Sequence, residues 1–581
     1  MDGLEAPPGP GSSAAGDATG VRHDPGAAPR TAAPRPSGPD AAAAGVADPA
    51  ARGAEDREAP EAAPVPVALR HPVLVRLLVA GAVAAVVAGV VLRFVARSDL
   101  WLDEALTLDI ARLPLGQIHA ALRRDGAPPL YYYLLHWWVG AFGTSDTAVR
   151  ALSGVLSCLT LPLVWVAARR LGGRTVGVAA LLIVATSPFA VRYATENRMY
   201  ALVCLLGAAG VVALQQVLRG RTAANLLALA VVTGLLLYTH YWALYLVGVV
   251  ALWLAWQGWR GPAPRRAGAR WALGAVALGC VSFAPWVPTF VFQSRHTGTP
   301  WAKPADFAAM VNAVTSFAGG ATNQGRALAL VYFALAGLGL FGAARGAVHI
   351  DLDLRTRPVG RAPALVLVGT LAVAVVGGYA SHSAFQARYA SVVFVPLVLL
   401  VALGLVTFAE PRVRLAVLAA TMVFGLAGAL PNVWTSRTQA GEVATTLARL
   451  GRPGDVVAFC PDQLGPAVHH LLPDGRYREI TFPRGIGPAF VDWVDYAAAS
   501  AAGRPAAFAA RLESMAGTSH QIWFVWAPGY QTFGSKCQEI QQTLLDDHAL
   551  GVHQMFAQRQ VFEPWTGYES MELVRFAPVA G

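Results

Sequence analysis

Charge is what this chain is short of. Only 14% of its 581 residues are Asp, Glu, Lys or Arg, against about 25% in ordinary soluble domains. With 55% hydrophobic residues and a mean hydropathy of +0.46, that deficit excludes a string of soluble domains for most of the length. Nucleic-acid motifs are absent, so the net charge of +10 is not read as a DNA- or RNA-binding surface. No apolar stretch precedes residue 73. The expectation is therefore no cleavable signal peptide and a first apolar run that stays as an anchor. Cysteine is scarce as well, with five in the chain. Cys158, Cys204 and Cys280 fall inside apolar runs and read as small core residues. Cys460 and Cys537 lie in the C-terminal segment, where a disulfide can form if that segment is extracytoplasmic. Spacing by itself leaves that pairing open.

What is present is a succession of apolar runs about 20 residues long, the length that crosses a bilayer as a helix. Helices are expected at 73–94, 148–168, 176–190, 200–218, 224–239, 241–257, 271–293, 327–344, 363–380, 390–408 and 415–431. The fold class is thus a polytopic α-helical membrane protein with about 11 crossings. Almost all the positive charge is Arg, set in short loops between the runs. With the N-terminus inside, five loops should face the cytoplasm. They carry Arg169, Arg170 and Arg174; Arg219 and Arg221; Arg260, Arg265, Arg266 and Arg270; Arg345, Arg355, Arg357 and Arg361; and Arg412 and Arg414. All five groups fall on one side, as the positive-inside rule requires. Residues 1–70 are Ala-, Pro- and Gly-rich and bury too little to fold, so they read as a disordered cytoplasmic tail.

The alternation holds only if residues 129–143 do not cross. That stretch, PLYYYLLHWWVGAFG, would make a helix of about 22 Å, short of the roughly 30 Å hydrocarbon core. Tyr131, Tyr132, Tyr133, Trp137 and Trp138 favour the headgroup level. It is read as an interfacial or partly re-entrant helix on the outer face, within an outer loop over 95–147. Residues 432–581 then lie outside. There GDVVAFC and QIWFVWA look like buried strands, with helical stretches near 464–472 and 536–548, and VFEPWTGYESMELVRF can supply further strand. The expectation is a small extracytoplasmic α/β domain. It carries no Gly-rich nucleotide loop and no tight metal-ligand spacing. His469 and His470, being adjacent, do not share a helical face and read as surface residues.

Ionisable groups gather at the expected outer ends of the helices. Asp103 and Glu104 follow the first helix in LWLDEALT. Carboxylates among apolar residues at a membrane surface are costly unless used, although a solvated turn or helix cap accounts for such a pair equally well. VRYATENRMYAL packs Arg192, Tyr193, Glu196, Arg198 and Tyr200 together; snorkelling and one local ion pair explain only part of that set. His240 and Tyr241 sit between two helices, where an interfacial aromatic belt is the plain alternative. His382, Arg388 and Tyr389 lie in SHSAFQARYAS, where an Arg can also be an anchor. Their common level is the informative feature. Arg presents a planar fork that matches phosphate oxygens, a carboxylate can act as general base toward a hydroxyl, and Tyr and Trp rings can cover a sugar face or a polyprenyl stem.

In LWLDEALT, APPLYYYLLHWWVGAFGTSDTAVRALS, SPFAVRYATENRMYAL and ARYAS, the chain resembles the GT-C superfamily of integral-membrane glycosyltransferases. It most resembles bacterial members of the protein O-mannosyltransferase-like family, glycosyltransferase family 39. The resemblance spans residues 95 to about 390, leaving out the tail and the C-terminal domain. It implies a polyprenyl-phosphate sugar donor and an inverting single displacement onto an acceptor hydroxyl. Asp103 would be the catalytic carboxylate, with Glu104 beside it, and Arg198 and Arg388 would hold the donor phosphate. Glu196, Tyr200, Asp125, Tyr131, His240, Tyr241 and Tyr389 are the expected substrate-binding residues. The family often has His before Pro-Pro-Leu-Tyr; here Ala127 stands there, after Asp125 and Gly126. No cofactor or metal is required by this scheme. Mannose is the sugar the family suggests, and the acceptor, whether protein, lipid or wall glycan, is left open. The expected setting is the plasma membrane, with lipid as partner.

Two other classes fit the sequence less well. A transporter or flippase places polar sites near the membrane midplane on broken helices in repeated halves, whereas here the central helices are smooth and no repeat is evident. A sensor anchored by helices would need neither so many crossings nor a charged outer rim.

Overall fold

The computed structural model describes residues 72–298, 307–320, 322–347, 349–381, 385–527, 534–546, 550–556 and 569–578. The expected tail over 1–70 lies outside the described residues, as does His382.

Helix α1 (Pro72–Leu92) carries one charge, Arg76, and crosses as a plain apolar rod. It ends at Arg93, whose buried guanidinium donates to Gly89 O and Val184 O at 2.6 Å, Ala185 O at 2.8 Å and Ser157 Oγ at 3.0 Å. Those four acceptors satisfy a charge that would otherwise be costly in an apolar setting, and they pin α1 to its neighbour. The outer loop follows as α2 (Leu102–Arg112), α3 (Leu115–Asp125) and α4 (Leu130–Phe142). At 1.5 Å per residue, the 13 residues of α4 reach only about 20 Å. Trp137 and Phe142 are exposed along it.

Helix α5 (Asp146–Ala185) merges two expected helices, 148–168 and 176–190, into one 40-residue element broken at Gly172 and Gly173. Gly173 has φ +86°, open to glycine at little cost. Past the break the chain folds back on itself: a Cβ at Gly177 would lie 3.1 Å from Trp165 O. Next come α6 (Pro188–Ala194), α7 (Tyr200–Arg219), α8 (Ala223–Leu237), α9 (Ala243–Arg260), α10 (Ala263–Ser282), α11 (Val287–His296), α12 (Phe307–Ser316) and α13 (Asn323–Phe341). A small hairpin, β1 (Gly342–Ala344) with β2 (Ile350–Leu352), precedes α14 (Pro358–Ser381). A 3₁₀ turn over Ala387–Val393 leads into α15 (Phe394–Leu405), buried at every position, and α16 (Pro411–Ala429) closes the bundle.

Eight helices among the described residues are long and apolar enough to cross a membrane, against the 11 segments read from sequence. Part of the difference is α5, one element with a fold-back. Another part is α8, at 15 residues too short to qualify. The chain is a multi-pass membrane protein with the expected fold class.

Beyond the bundle, α17 (Ala440–Leu450), β3 (Val456–Cys460), α18 (Gly465–His469), β4 (Arg478–Thr481), α19 (Tyr496–Ala502), α20 (Pro505–Ala516), β5 (Ile522–Trp526), α21 (Gly534–Asp546), β6 (Leu550–Phe556) and β7 (Glu572–Pro578) build the C-terminal domain. The sheet order is β4-β3-β5-β7-β6, parallel across β4, β3 and β5 and antiparallel at β7 and β6. Every residue of β3 and β5 is buried, which is why both read as unbroken apolar runs. Cys460, ending β3, is bonded to Cys537 on α21. The domain rests on the outer loop and its surroundings: Trp493 N–H donates to Arg124 O at 3.2 Å and Asp495 N–H to His296 O at 2.8 Å. His469 and His470 are not free surface residues. His469 Nδ1 lies 2.7 Å from Glu479 on β4 of its own domain, and His470 Nε2 lies 3.2 Å from Asp146 at the start of α5, near where α18 packs against α2.

Candidate active site

The first turn of α2 sets the site. Asp103 and Glu104 are consecutive on a helix, so their side chains leave it about 100° apart, and the structure gives them different surroundings. Glu104 turns inward and is fully buried. Arg150, on α5, grips it with two bonds, Nε to Oε1 at 2.8 Å and Nη2 to Oε2 at 2.6 Å. Asn197 N–H donates to Oε1 at 2.9 Å, and Arg437 lies 3.7 Å from Oε2. Burial alone would raise this carboxyl, but the Arg150 guanidinium and then Arg437 outweigh it and hold it down to about 2. All the acceptor capacity that faces a partner is taken, so Glu104 has no oxygen to offer a substrate.

Asp103 turns the other way, its side chain 16% exposed. Arg388 Nη2 comes within 3.5 Å of its Oδ2 and Arg198 Nε within 3.8 Å. These distances are longer than the 2.7–2.9 Å of a closed charge-assisted bond. Asp103 Oδ2, Arg198 Nε and Arg388 Nε are all buried without a hydrogen-bond partner. Residues separated by up to most of the bundle's length in sequence therefore present unspent donors around one carboxylate.

Supporting groups fix these donors. Arg198 Nη1 donates to Thr107 Oγ1 at 2.7 Å and to Tyr132 Oη at 3.3 Å, and Tyr132 donates to Asp125 Oδ2 at 2.8 Å. Burial raises the Asp125 carboxyl, with Arg198 opposing. Arg388 lies over the Trp101 ring at 5.5 Å and that of Tyr389 at 5.7 Å, favourable for a guanidinium. The His240 ring stands 5.2 Å from Tyr389 and 5.9 Å from Tyr200. Burial, then Arg198 and Arg388, push its imidazole down to about 3, so it is a neutral wall.

Asp103, Arg198, Arg388, Asp125, Tyr200, His240 and Tyr389 thus share one place. Other expected substrate residues are engaged elsewhere. Glu196 is buried against Arg192 at 2.7 Å. Tyr131 is buried on Ser153 at 2.9 Å and Asn197 at 3.1 Å. Tyr241 donates to Gln293 and accepts from Trp286 Nε1 at 3.0 Å. Sequence reading missed Arg150, Asn197 and Arg437. Arg150 left a signal, a charge just inside an apolar run; Arg437 left none that ties it to Glu104. Among the described residues no group of His, Cys, Asp and Glu is arranged to hold a metal ion.

Residues 126–288 match the protein family described as dolichyl-phosphate-mannose-protein mannosyltransferase. Among solved structures, ArnT from Cupriavidus metallidurans in the apo state shares the fold with a TM-score of 0.50 at 14% identity. That alignment covers 86% of this chain and 97% of that one. The same protein bound to undecaprenyl phosphate gives 0.49 at 13%, over the same shares. The S. cerevisiae protein O-mannosyltransferase Pmt1–Pmt2 complex bound to the sugar donor is 20% identical over 37% of this chain and 34% of that chain, with a TM-score of 0.29. No curated protein sequence matches the chain.

Proposed function

We propose that this chain, a member of the GT-C superfamily of integral-membrane glycosyltransferases, moves a hexose from a polyprenyl-phosphate donor to an acceptor hydroxyl at the outer face of the membrane. Mannose is the sugar that the matched family suggests. One observation carries the reading: two guanidinium groups with unbonded Nε–H donors flank a single carboxylate. A lipid-linked phosphate takes those donors, and the carboxylate is left for a proton.

In the reaction, the acceptor oxygen attacks the anomeric carbon as Asp103 accepts its proton. The bond from that carbon to the phosphate oxygen breaks, and its electron pair stays on the phosphate. Arg198 and Arg388 neutralise the charge that gathers there, donors already fixed by Thr107, Tyr132 and the Trp101 ring. Attack opposite the leaving group inverts the anomeric centre. The aromatic wall of Tyr200, His240 and Tyr389 suits a sugar face. An apolar cavity of about 250 Å³ runs inside the bundle, lined by Gly207, Val211, Leu236, Val247, Val392 and Pro396 among others. Val392 lies four residues on from Arg388 in the same 3₁₀ segment, so a phosphate on Arg388 can send its polyprenyl stem into that space. The scheme uses no cofactor or metal. The one-sided Arg loops support a cytoplasmic N-terminus and an extracytoplasmic C-terminal domain, and the bonded cysteines suit an oxidising compartment.

The test offers radiolabelled polyprenyl-phosphate mannose to membranes that hold the natural acceptor. Wild type transfers label and Asp103→Asn does not. Equal transfer by both would remove Asp103 from the chemistry.

A further inference from the structure

The turn that follows α3 is poor in donors of its own. Residues 126–129 read Gly-Ala-Pro-Pro, and Pro128 and Pro129 have no N–H to give. Gly126 leaves the helix at φ +90°, and its N–H donates to Leu122 O at 2.9 Å. The carbonyls of a buried turn need donors, from another element if not from the turn itself.

Here they come from α11. Gln293 is 2% exposed. Its Nε2 donates to Leu122 O at 2.7 Å and to Ala127 O at 3.3 Å, so the two bonds bracket Asp125 and Gly126. Its Oε1 accepts from Tyr241 Oη, which accepts in turn from Trp286 Nε1 at 3.0 Å. Only the nitrogen end of an amide can donate to two carbonyls, and the Tyr241 hydroxyl bonded to the oxygen end keeps it that way round. Helix α11 is seated on α3 by a further contact, His119 Nε2 to Thr289 Oγ1 at 2.8 Å. Just past its end, Thr297 Oγ1 would lie 2.7 Å from a Cβ at Gly126.

The bracketed turn carries Asp125 into the site. Tyr132 donates to Asp125 Oδ2 at 2.8 Å, and Arg198 Nη1 donates to Tyr132 Oη at 3.3 Å. We infer that Gln293 is a positioning residue: it fixes Asp125 through the Leu122 and Ala127 carbonyls, and through Asp125 and Tyr132 it sets Arg198. Tyr241 then serves the site from behind, by aiming Gln293. Thr107 also holds Arg198, at 2.7 Å, so losing the brace shifts the guanidinium rather than releasing it.

The inference rests on the proposed transferase reading for its kinetic arm only. Gln293→Met keeps the length of the side chain and removes its donors and acceptor, while Tyr241→Phe leaves the donors and removes the group that aims them. In the labelled-mannose assay, Gln293→Met should lower kcat about tenfold with donor KM nearly unchanged, because a small misplacement of a catalytic group is costly in rate. Tyr241→Phe should lower kcat about threefold. In a Tyr132→Phe background the link from Asp125 to Arg198 is already cut, so Gln293→Met should add less than about a twofold loss. A general loss of folded protein would subtract the same factor in both backgrounds. Amide hydrogen exchange on full-length protein in lipid nanodiscs should quicken about five- to tenfold at residues 123–127 in Gln293→Met, with β3 and β5 unchanged. Wild-type kcat in Gln293→Met, or an undiminished loss in the Tyr132→Phe background, would overturn the inference. So would faster exchange spread evenly through the protein. Absence of transfer by wild type would defeat the transferase reading, and the exchange comparison would then decide whether Gln293 holds the turn.

Discussion

Glu104→Gln separates a carboxylate that performs chemistry from one that holds the site together. The native carboxylate takes two bonds from Arg150, one from Asn197 N–H, and the nearby charge of Arg437. Glutamine keeps one acceptor oxygen but turns an N–H toward a guanidinium, and two buried arginines lose their counter-charge. Removing one member of a buried ion pair costs about 3–5 kcal/mol. The same arginines hold the folded carboxyl down to about 2, below the roughly 4.3 of an unfolded glutamate. The sign follows from proton binding. Between those two values the unfolded chain binds more protons, so stability rises with pH there, is complete above about 4.3, and is lost as pH falls toward 2. Denaturant unfolding in nanodiscs should show Glu104→Gln weakened by that amount at neutral pH, with its acid limb flattened. Asp103→Asn, whose nearest ion-pair contact is 3.5 Å, should unfold close to wild type yet fail to transfer sugar. A Glu104→Gln protein as stable as wild type but inactive would refute the reasoning and return Glu104 to the chemistry.

Arg388→Lys keeps a positive charge but gives up the planar fork and the ring contacts with Trp101 and Tyr389. Its kcat in the labelled-donor assay should fall about 100- to 1000-fold, and wild-type turnover would dismiss a role for Arg388 in holding phosphate. The Cys460–Cys537 bond closes a loop of 77 residues between β3 and α21. Paired Ser substitutions should destabilise the C-terminal domain by about 2–5 kcal/mol. Unfolding that is the same for the reduced and oxidised protein would refute it.

How far the site was legible in sequence follows the range of the forces involved. Asp103, Arg198 and Arg388 drew notice as costly charges at the ends of apolar runs, and the resemblance supplied their roles. The resemblance singles out Asp103, but the residues by themselves do not separate it from Glu104. Adjacent residues on a helix point in different directions, and which direction faces a cavity depends on Arg150 and Asn197, brought in from other elements. Glu196 was expected at the substrate from the resemblance; that it is buried against Arg192, one helical turn earlier, is decided by packing the sequence does not show. His469 and His470 read as surface residues because nothing local announces that α18 meets α2 and Asp146.

By itself the sequence determined a multi-pass helical membrane protein, the expected strands at GDVVAFC and QIWFVWA, and the outer loop as the place to look for chemistry. Apolar run length and strand hydrophobicity act over neighbouring residues and need no tertiary knowledge. Only the tertiary structure decided that one carboxylate of the Asp-Glu pair is free while its neighbour is locked. It also decided that two distant arginines reach the free one, and that Arg437, just past the bundle, reaches Glu104 on α2. Those outcomes depend on the packing of segments far apart along the chain, which no local pattern encodes.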